Sequence, residues 1–170
     1  MKPLSTPDSH HLRAAQGWLE LGNHKEANAE LERIAPELRS HPDVLDLLWH
    51  IDAQSNKWTA CVDIADALVK LDPNQPDAWI HRSYALHRVK RTQEAFDLLL
   101  LVANKFPKIW TIPYNLACYS AQLGRLDESQ VWLKTAMTID EDFVKLAAID
   151  DPDLKPLWDT TDGALWKPTE

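Results

Sequence analysis

The chain has 170 residues, among them 4 Gly, 11 Pro and 8 Trp, a composition typical of helices separated by proline-containing corners. The low glycine content argues against a many-turned sandwich or barrel and against a glycine-rich phosphate loop. Both need residues whose backbone is left-handed or can be approached closely by a ligand, and glycine suits such positions best. Acidic residues outnumber basic ones by 26 to 18, and the net charge of -8 repels nucleic acid and anionic membranes. We therefore expect neither of these as a partner.

Residues 1–7 are predicted to be an N-terminal lead, because they contain one lysine but no apolar stretch of the kind found in a secretory signal. The longest apolar run, residues 98–103, is too short to span a bilayer. Cys61 and Cys118 are too far apart in sequence to form a zinc knuckle or a CxxC redox pair. Together these features predict a cytoplasmic protein.

The sequence repeats with a period of 34 residues, and four ungapped blocks align at 8–41, 42–75, 76–109 and 110–143. Positions 24 and 27 of each block are apolar or Ala, and position 20 is always small. Residues spaced four and three apart lie on one stripe of a helix, and a small residue lets a neighbouring helix approach closely. The pattern predicts one packed helix in the second half of every block. The residues at position 20 are Ala27, Cys61, Ala95 and Ser129.

The first half of each block has a helical pattern of its own, followed by a short polar turn. In the first block this turn contains Gly22, and Pro36 is expected to end the second helix early. Pro42 and Pro76 open the second and third blocks and suit the first turn of a helix. Gly124 lies in the turn of the fourth block. Each block is thus predicted to be a helix, a turn, a second helix and a corner.

This unit resembles the tetratricopeptide repeat (TPR) family, whose 34-residue repeat favours Trp, Gly, Ala and Pro at set positions. The third block is similar to the family at Trp79, Ala95 and Pro107. The fourth is similar at residues 115–117 and at residues 123–129, which look like the family's central turn. The resemblance implies an all-α fold, a right-handed superhelical α-solenoid of helix-turn-helix repeats.

Residues 144–158 are predicted to form a short helical cap, since an open repeat array exposes one side of its last helix. We expect the cap to pack through an apolar stripe of Phe143, Leu146, Ala147 and Ile149. Residues 159–170 are predicted to be a flexible tail. The run at 150–158 is similar to tails that close some bacterial TPR proteins, which favours a bacterial source.

The histidines do not show the spacing of metal ligands. His10 and His11 are adjacent, and His81 and His87 are six apart, which turns them to different sides of a helix. Cys118 has no neighbour in sequence that would activate its thiol. We therefore expect no metal, no cofactor and no catalytic residue. A small metal- or thiol-dependent enzyme using His81, His87 and Cys118 is the alternative from a different functional class.

The resemblance to the TPR family also implies a candidate site, because the first helix of each pair lines the concave face in that family. Tyrosine, histidine and arginine at the matching positions are residue types enriched in binding surfaces, although an ordinary solvated helix face shows a similar mixture. The predicted peptide-binding groove consists of Gln16, Asp46, His50, Ile80, His81, Tyr84, His87, Arg88, Tyr114, Asn115 and Cys118.

The predicted function is a non-catalytic protein–protein interaction module or scaffold that binds a peptide segment of a partner protein in this groove. A clamp for the C-terminal carboxylate of heat-shock chaperones is disfavoured, because Asp46 and Asp77 stand where the family's cations would be. A secretion chaperone of the same repeat type is the alternative within the binding class. Self-association is a further possibility if the cap is loose.

Overall fold

The computed structural model describes residues 3–160, and within that range the chain is helical, with two short 3₁₀ turns and no strand. This confirms the predicted all-α fold class. No helix of the described part is both long enough and apolar enough to cross a bilayer. The α-helices are α1 Thr6–Glu20, α2 His24–Leu31, α3 Pro42–Gln54, α4 Trp58–Leu71, α5 Pro76–Arg88, α6 Thr92–Ala103, α7 Thr111–Gln122, α8 Leu126–Ile139, α9 Glu141–Ala148 and α10 Lys155–Thr160; the 3₁₀ turns are Pro36–Leu38 and Pro152–Leu154.

The chain divides into two compact units, residues 1–85 and residues 86–170, and the division falls inside α5. In the first unit, one hydrophobic cluster joins α1, α2 and α3 and fully buries Ile34 and Ile51. A second cluster joins α4 to the start of α5 and includes Leu68. In both clusters apolar side chains three or four residues apart face the neighbouring helix, so the helices are held mainly by the removal of that surface from water.

The turn inside each helix pair has the same backbone conformation in all four blocks. In the first turn, the N–H of Gly22 donates to the Leu19 carbonyl and the N–H of Asn23 donates to the Trp18 carbonyl, both at 2.9 Å. This is the Schellman arrangement that satisfies the last carbonyls of a helix, and it requires a left-handed residue. The left-handed residue is at position 15 of each block, with φ between 57° and 75°: Gly22, Asn56, Lys90 and Gly124.

Substitutions at this turn position are expected to change stability in opposite directions. Left-handed backbone costs a residue with a Cβ about 1 kcal/mol relative to glycine. Lys90 is exposed, so Lys90→Gly is expected to raise the free energy of unfolding by up to about that amount. Gly124→Ala is expected to lower the free energy of unfolding. A Cβ added at Gly124 would have no atom within 4 Å, so the loss comes from backbone strain and not from a steric clash. Urea denaturation of both variants checks this, and a change of the same sign in both would contradict it.

The small residue predicted in the second helix of each block lies where the two helices of a pair meet. The four residues at this position are fully buried: Ala27, Cys61, Ala95 and Ser129. The Cys61 thiol donates to the Trp49 carbonyl at 3.7 Å, and the Ser129 hydroxyl donates to the Ala117 carbonyl at 2.8 Å. Both carbonyls lie at position 8 of their blocks. A larger side chain at position 20 would therefore meet the backbone of the first helix.

In the second unit, the 3₁₀ turn at 152–154 packs against α7, and α10 packs against α7 and α8. Leu154 and Leu157, one from each of these elements, are fully buried. Helix α10 continues to Thr160, so the first two residues of the predicted tail are helical. The rest of that predicted tail, residues 161–170, lies outside the described residues.

The predicted packing stripe of the cap is wrong. Helix α9 packs on α8 through the other side of its surface, where Val144 and Ala148 are buried. These two residues are four apart and therefore share one face of the helix. The stripe residues Phe143, Leu146 and Ile149 are 60%, 70% and 60% exposed. The apolar pattern groups these residues on one face of α9 but does not determine which face meets α8. The N-cap at Asp140 and the contact with α8 determine that orientation.

Candidate binding groove

The eleven predicted groove residues are divided between the two units. The first unit contains Gln16, Asp46, His50, Ile80, His81 and Tyr84. The second contains His87, Arg88, Tyr114, Asn115 and Cys118. In the second unit Arg88 is exposed and Asn115 is half-buried, whereas the other three are buried. The two sets therefore have different surroundings.

The first unit contains a pocket of about 980 Å³ formed by α1, α3, the end of α4 and the start of α5. Gln16, Asp46 and His50 contribute to its lining. Gln16 is exposed on α1, and its side-chain amide donates to Glu20 at 3.3 Å. The structure thus brings three of the predicted residues, from two first helices, to one surface.

The lining of this pocket is acidic. It includes two histidines, His41 and His50, and none of its described lining residues is a lysine or arginine. Carboxylates along one concave surface add their fields and attract positive charge, an effect that salt weakens. The carboxylates that define this acidic pocket are Glu20, Asp43, Asp46, Asp72 and Asp77.

Asp46, His50 and His81 form a close group beside the acidic pocket. The His81 Nε2 lies 3.1 Å from one Asp46 carboxylate oxygen, and the His50 Nε2 lies 3.8 Å from the other. The His81 ring is stacked on the Trp49 indole, with 3.9 Å between ring centroids and 8° between planes. The His50 ring meets the His81 ring edge-on at 5.0 Å. Two helices, α3 and α5, thus place three ligand-type side chains together.

Burial and the neighbouring charges set the protonation of this group. The hydrogen bond from His81 is the largest influence on the Asp46 carboxyl and lowers its pKa, so Asp46 is a carboxylate at neutral pH. Burial lowers the pKa of His50, and the nearby His81 adds to this effect. The carboxylates of Asp46 and Asp77 act on the pKa of His50 in the opposite direction. The net effect lowers the pKa of His50 and so favours its neutral imidazole form.

Tyr84 and Ile80 lie on α5, both half-buried. The Tyr84 ring packs edge-on against the Trp58 ring of α4, with centroids 5.6 Å apart and planes at 76°. Arg82 on the same helix pairs with Asp66 of α4 at 2.5 Å. These contacts fix α5 against α4, and they use part of the Tyr84 ring in packing.

Three predicted groove residues of the second unit are covered by the cap. The Tyr114 hydroxyl donates to the Asp151 carboxylate at 2.6 Å, and the Cys118 Sγ lies 3.6 Å from the same oxygen. The His87 Nε2 lies 3.2 Å from the Asp153 carboxylate. Tyr114, Cys118 and His87 are only 6%, 3% and 7% exposed. In the second unit the chain's own residues 151–153 occupy the face that the resemblance assigned to a ligand.

The two thiols have surroundings that favour the protonated form. Burial, followed by the charge of Asp151, raises the pKa of the Cys118 thiol well above its usual range. Burial also raises the pKa of Cys61 to about 11. The thiolate is the nucleophilic and metal-binding form, and it is scarce at neutral pH in both cases.

Sequence reasoning missed two groupings. It compared histidines only with each other, and so overlooked that Asp46 and His50 are four residues apart and share a helix face. The third member, His81, comes from the next block, where it is at position 6, whereas His50 is at position 9 of its own block. The approach of Asp151 and Asp153 to α7 and the end of α5 had no signal in the sequence beyond the acidic run itself.

No protein-family model matches the sequence, and no curated protein matches it significantly. Solved structures match its fold. MamA of Desulfovibrio magneticus RS-1 has a TM-score of 0.71 at 20% identity, over 82% of this chain and 79% of that one. TTC0263, a thermophilic TPR protein of Thermus thermophilus, has 0.70 at 18%, over 81% and 77%. Pseudomonas aeruginosa PilF has 0.71 at 17%, over 82% and 65%. Together with the paired helices and their identical turns, these matches show that the chain has the TPR-type helical-repeat fold.

Proposed function

We propose that this protein is a non-catalytic interaction module and that its acidic pocket binds a positively charged segment of a partner protein. The observation that carries the proposal is the set of five carboxylates around a pocket of about 980 Å³ whose described lining has no lysine or arginine. A helical-repeat fold supports the first part, since stacked helix pairs commonly present extended binding surfaces.

The charges of the pocket favour a cationic ligand over an anionic one. Asp43 and Asp77 are exposed, so their carboxylates are available to a ligand without rearrangement of the core. An exposed ion pair contributes about 0.2–1 kcal/mol, so several pairs are needed for useful affinity. Lysine or arginine side chains spaced along one segment supply them. Apolar lining residues such as Leu12 and Leu71 can pack against the aliphatic parts of these lysine or arginine side chains.

The same pocket is unsuited to the anionic tail of a chaperone. A carboxylate ligand placed there would meet Asp46 and Asp77 without a compensating lysine or arginine in the described lining. A thiol-dependent enzymatic function has little support either, because burial favours the protonated forms of both thiols.

The test is fluorescence anisotropy with labelled peptides of about ten residues, matched in length and carrying lysines, glutamates or neutral residues. We expect the lysine peptide to bind and the glutamate peptide not to bind. The variant Asp43→Asn/Asp77→Asn is expected to weaken lysine-peptide binding about twofold to thirtyfold, because it removes two exposed ion pairs. Added salt should weaken the binding of the unmodified protein.

A matched variant controls for net charge. Asp63→Asn/Glu37→Gln also removes two exposed carboxylates from the first unit, but neither residue lines the pocket. We expect this variant to bind the lysine peptide as the unmodified protein does. An equal loss in both double variants, or equal binding of the lysine and glutamate peptides, would show that the pocket is not the site.

A further inference from the structure

The group formed by Asp46, His50 and His81 has a chemistry that peptide binding does not need. Its three candidate ligand atoms, a carboxylate oxygen and two imidazole nitrogens, all lie within 4.8 Å of one another. We propose that these three residues bind one divalent transition-metal ion of the zinc type. This site shares Asp46 and His50 with the lining of the acidic pocket, but the proposal does not rest on the recognition of a basic segment.

The distances fit a small ion. With bonds of about 2.0–2.1 Å, a tetrahedral or octahedral ion holds adjacent ligand atoms roughly 2.9–3.4 Å apart. The His81 nitrogen and an Asp46 oxygen are already 3.1 Å apart. The His50 nitrogen is 3.8 Å from the other Asp46 oxygen, so binding of an ion requires a movement of the His50 side chain toward Asp46 and His81. Its side chain is 45% exposed, so it has room to make that movement.

The positions of the ligands are fixed by the fold and not by their own contact alone. Asp46 and His50 are one helical turn apart on α3, which directs both side chains to the same face. His81 is only 12% exposed, and its ring is held flat against Trp49. The stacked, largely buried ring of His81 and the shared helix face of Asp46 and His50 reduce the ordering that ion binding requires, and such preorganisation strengthens metal sites.

The donor atoms select the class of ion. Two imidazole nitrogens and one carboxylate suit zinc and its neighbours in the first transition row, whereas calcium and magnesium prefer oxygen ligands. Three protein ligands leave at least one position of the ion open, and the half-exposed side chains of Asp46 and His50 place that position toward solvent.

The experiment is titration of the full chain with Zn²⁺ by isothermal calorimetry near neutral pH, in a buffer that does not bind zinc. We expect one ion per chain, and we expect Co²⁺ to bind with a visible absorption band that Zn²⁺ removes. The variant His81→Phe keeps an aromatic ring against Trp49 but has no ligand atom. It is expected to lower the affinity for Zn²⁺ by at least about tenfold.

The variant His10→Phe is the matched control, since it removes an exposed histidine from α1 outside the site, and its affinity for Zn²⁺ should be unchanged. Circular dichroism establishes that each variant is folded. If His81→Phe does not fold, His50→Gln and Asp46→Asn provide the same test from half-exposed positions. Equal Zn²⁺ affinity in the unmodified protein and in the site variants would overturn the proposal, as would the absence of stoichiometric binding.

Discussion

Leu154→Ala is expected to lower the free energy of unfolding by about 2–5 kcal/mol, the range for truncation of a fully buried leucine. Leu154 belongs to the 3₁₀ turn that packs against α7, and its side chain is completely shielded from solvent. Truncation loses the transfer free energy of the side chain and leaves a cavity beneath the turn. Urea denaturation followed by circular dichroism measures this loss.

The same variant has a second expected consequence, because Leu154 anchors the segment that covers Cys118. Asp151, three residues earlier, accepts the Tyr114 hydroxyl hydrogen bond and lies against the Cys118 thiol. A cap weakened by about 1.4 kcal/mol opens about ten times more often. The rate at which a maleimide reagent modifies Cys118 is therefore expected to rise by at least about tenfold in Leu154→Ala.

Leu146→Ala is the matched control for both measurements. It makes the same chemical change on α9 of the same cap, but Leu146 is 70% exposed. Substitutions at such surface positions usually change stability by less than about 0.5 kcal/mol. If Leu146→Ala destabilised the protein as much as Leu154→Ala, the orientation of the cap described above would be wrong.

Ser129→Leu is expected to lower the free energy of unfolding by about 2–4 kcal/mol, and the loss has two sources. The hydroxyl of Ser129 donates a hydrogen bond of 2.8 Å to the Ala117 carbonyl, and the residue is fully buried between α7 and α8. Removal of the hydrogen bond contributes about 1 kcal/mol. Forcing a larger side chain into this contact contributes a further 1–3 kcal/mol or so.

Two comparison variants separate these contributions. Ser129→Ala removes the hydrogen bond without adding volume, so it should lose only about 1 kcal/mol. Lys134→Leu introduces a leucine at an exposed position of the same helix and should leave stability nearly unchanged. Thermal and urea denaturation of the three variants give the order. A Ser129→Leu variant no less stable than Ser129→Ala would contradict close packing at this position.

The sequence by itself determined the local structure of the helix pairs. A small residue every 34 positions predicted where paired helices touch, and the structure places the buried Ser129 and Cys61 at that contact. Glycine at 22 and 124 predicted the turns, and the same left-handed conformation recurs at Asn56 and Lys90 without glycine. These features were predictable because they depend on side-chain size and backbone conformation within a few residues or a single helix pair.

The candidate sites were predictable only in part. The resemblance gave a set of residues on the first helices, and three of them, Gln16, Asp46 and His50, line one pocket. It did not indicate the acidic character of that pocket, because carboxylates from the corners, such as Asp72, join those of the helices only after folding. The proximity of His81 to Asp46 and His50 likewise depends on how one helix pair packs on the next.

Only the tertiary structure decided which surfaces are covered. The sequence showed an apolar stripe at the end of the fourth block and beyond it, yet Val144 and Ala148 are buried while Leu146 of that stripe is 70% exposed. It also showed an acidic run, yet only the packed cap revealed that Asp151 accepts a hydrogen bond from Tyr114. The physical reason is that composition fixes how apolar a helix face is, whereas its rotation and its neighbours follow from the packing of residues distant in the chain.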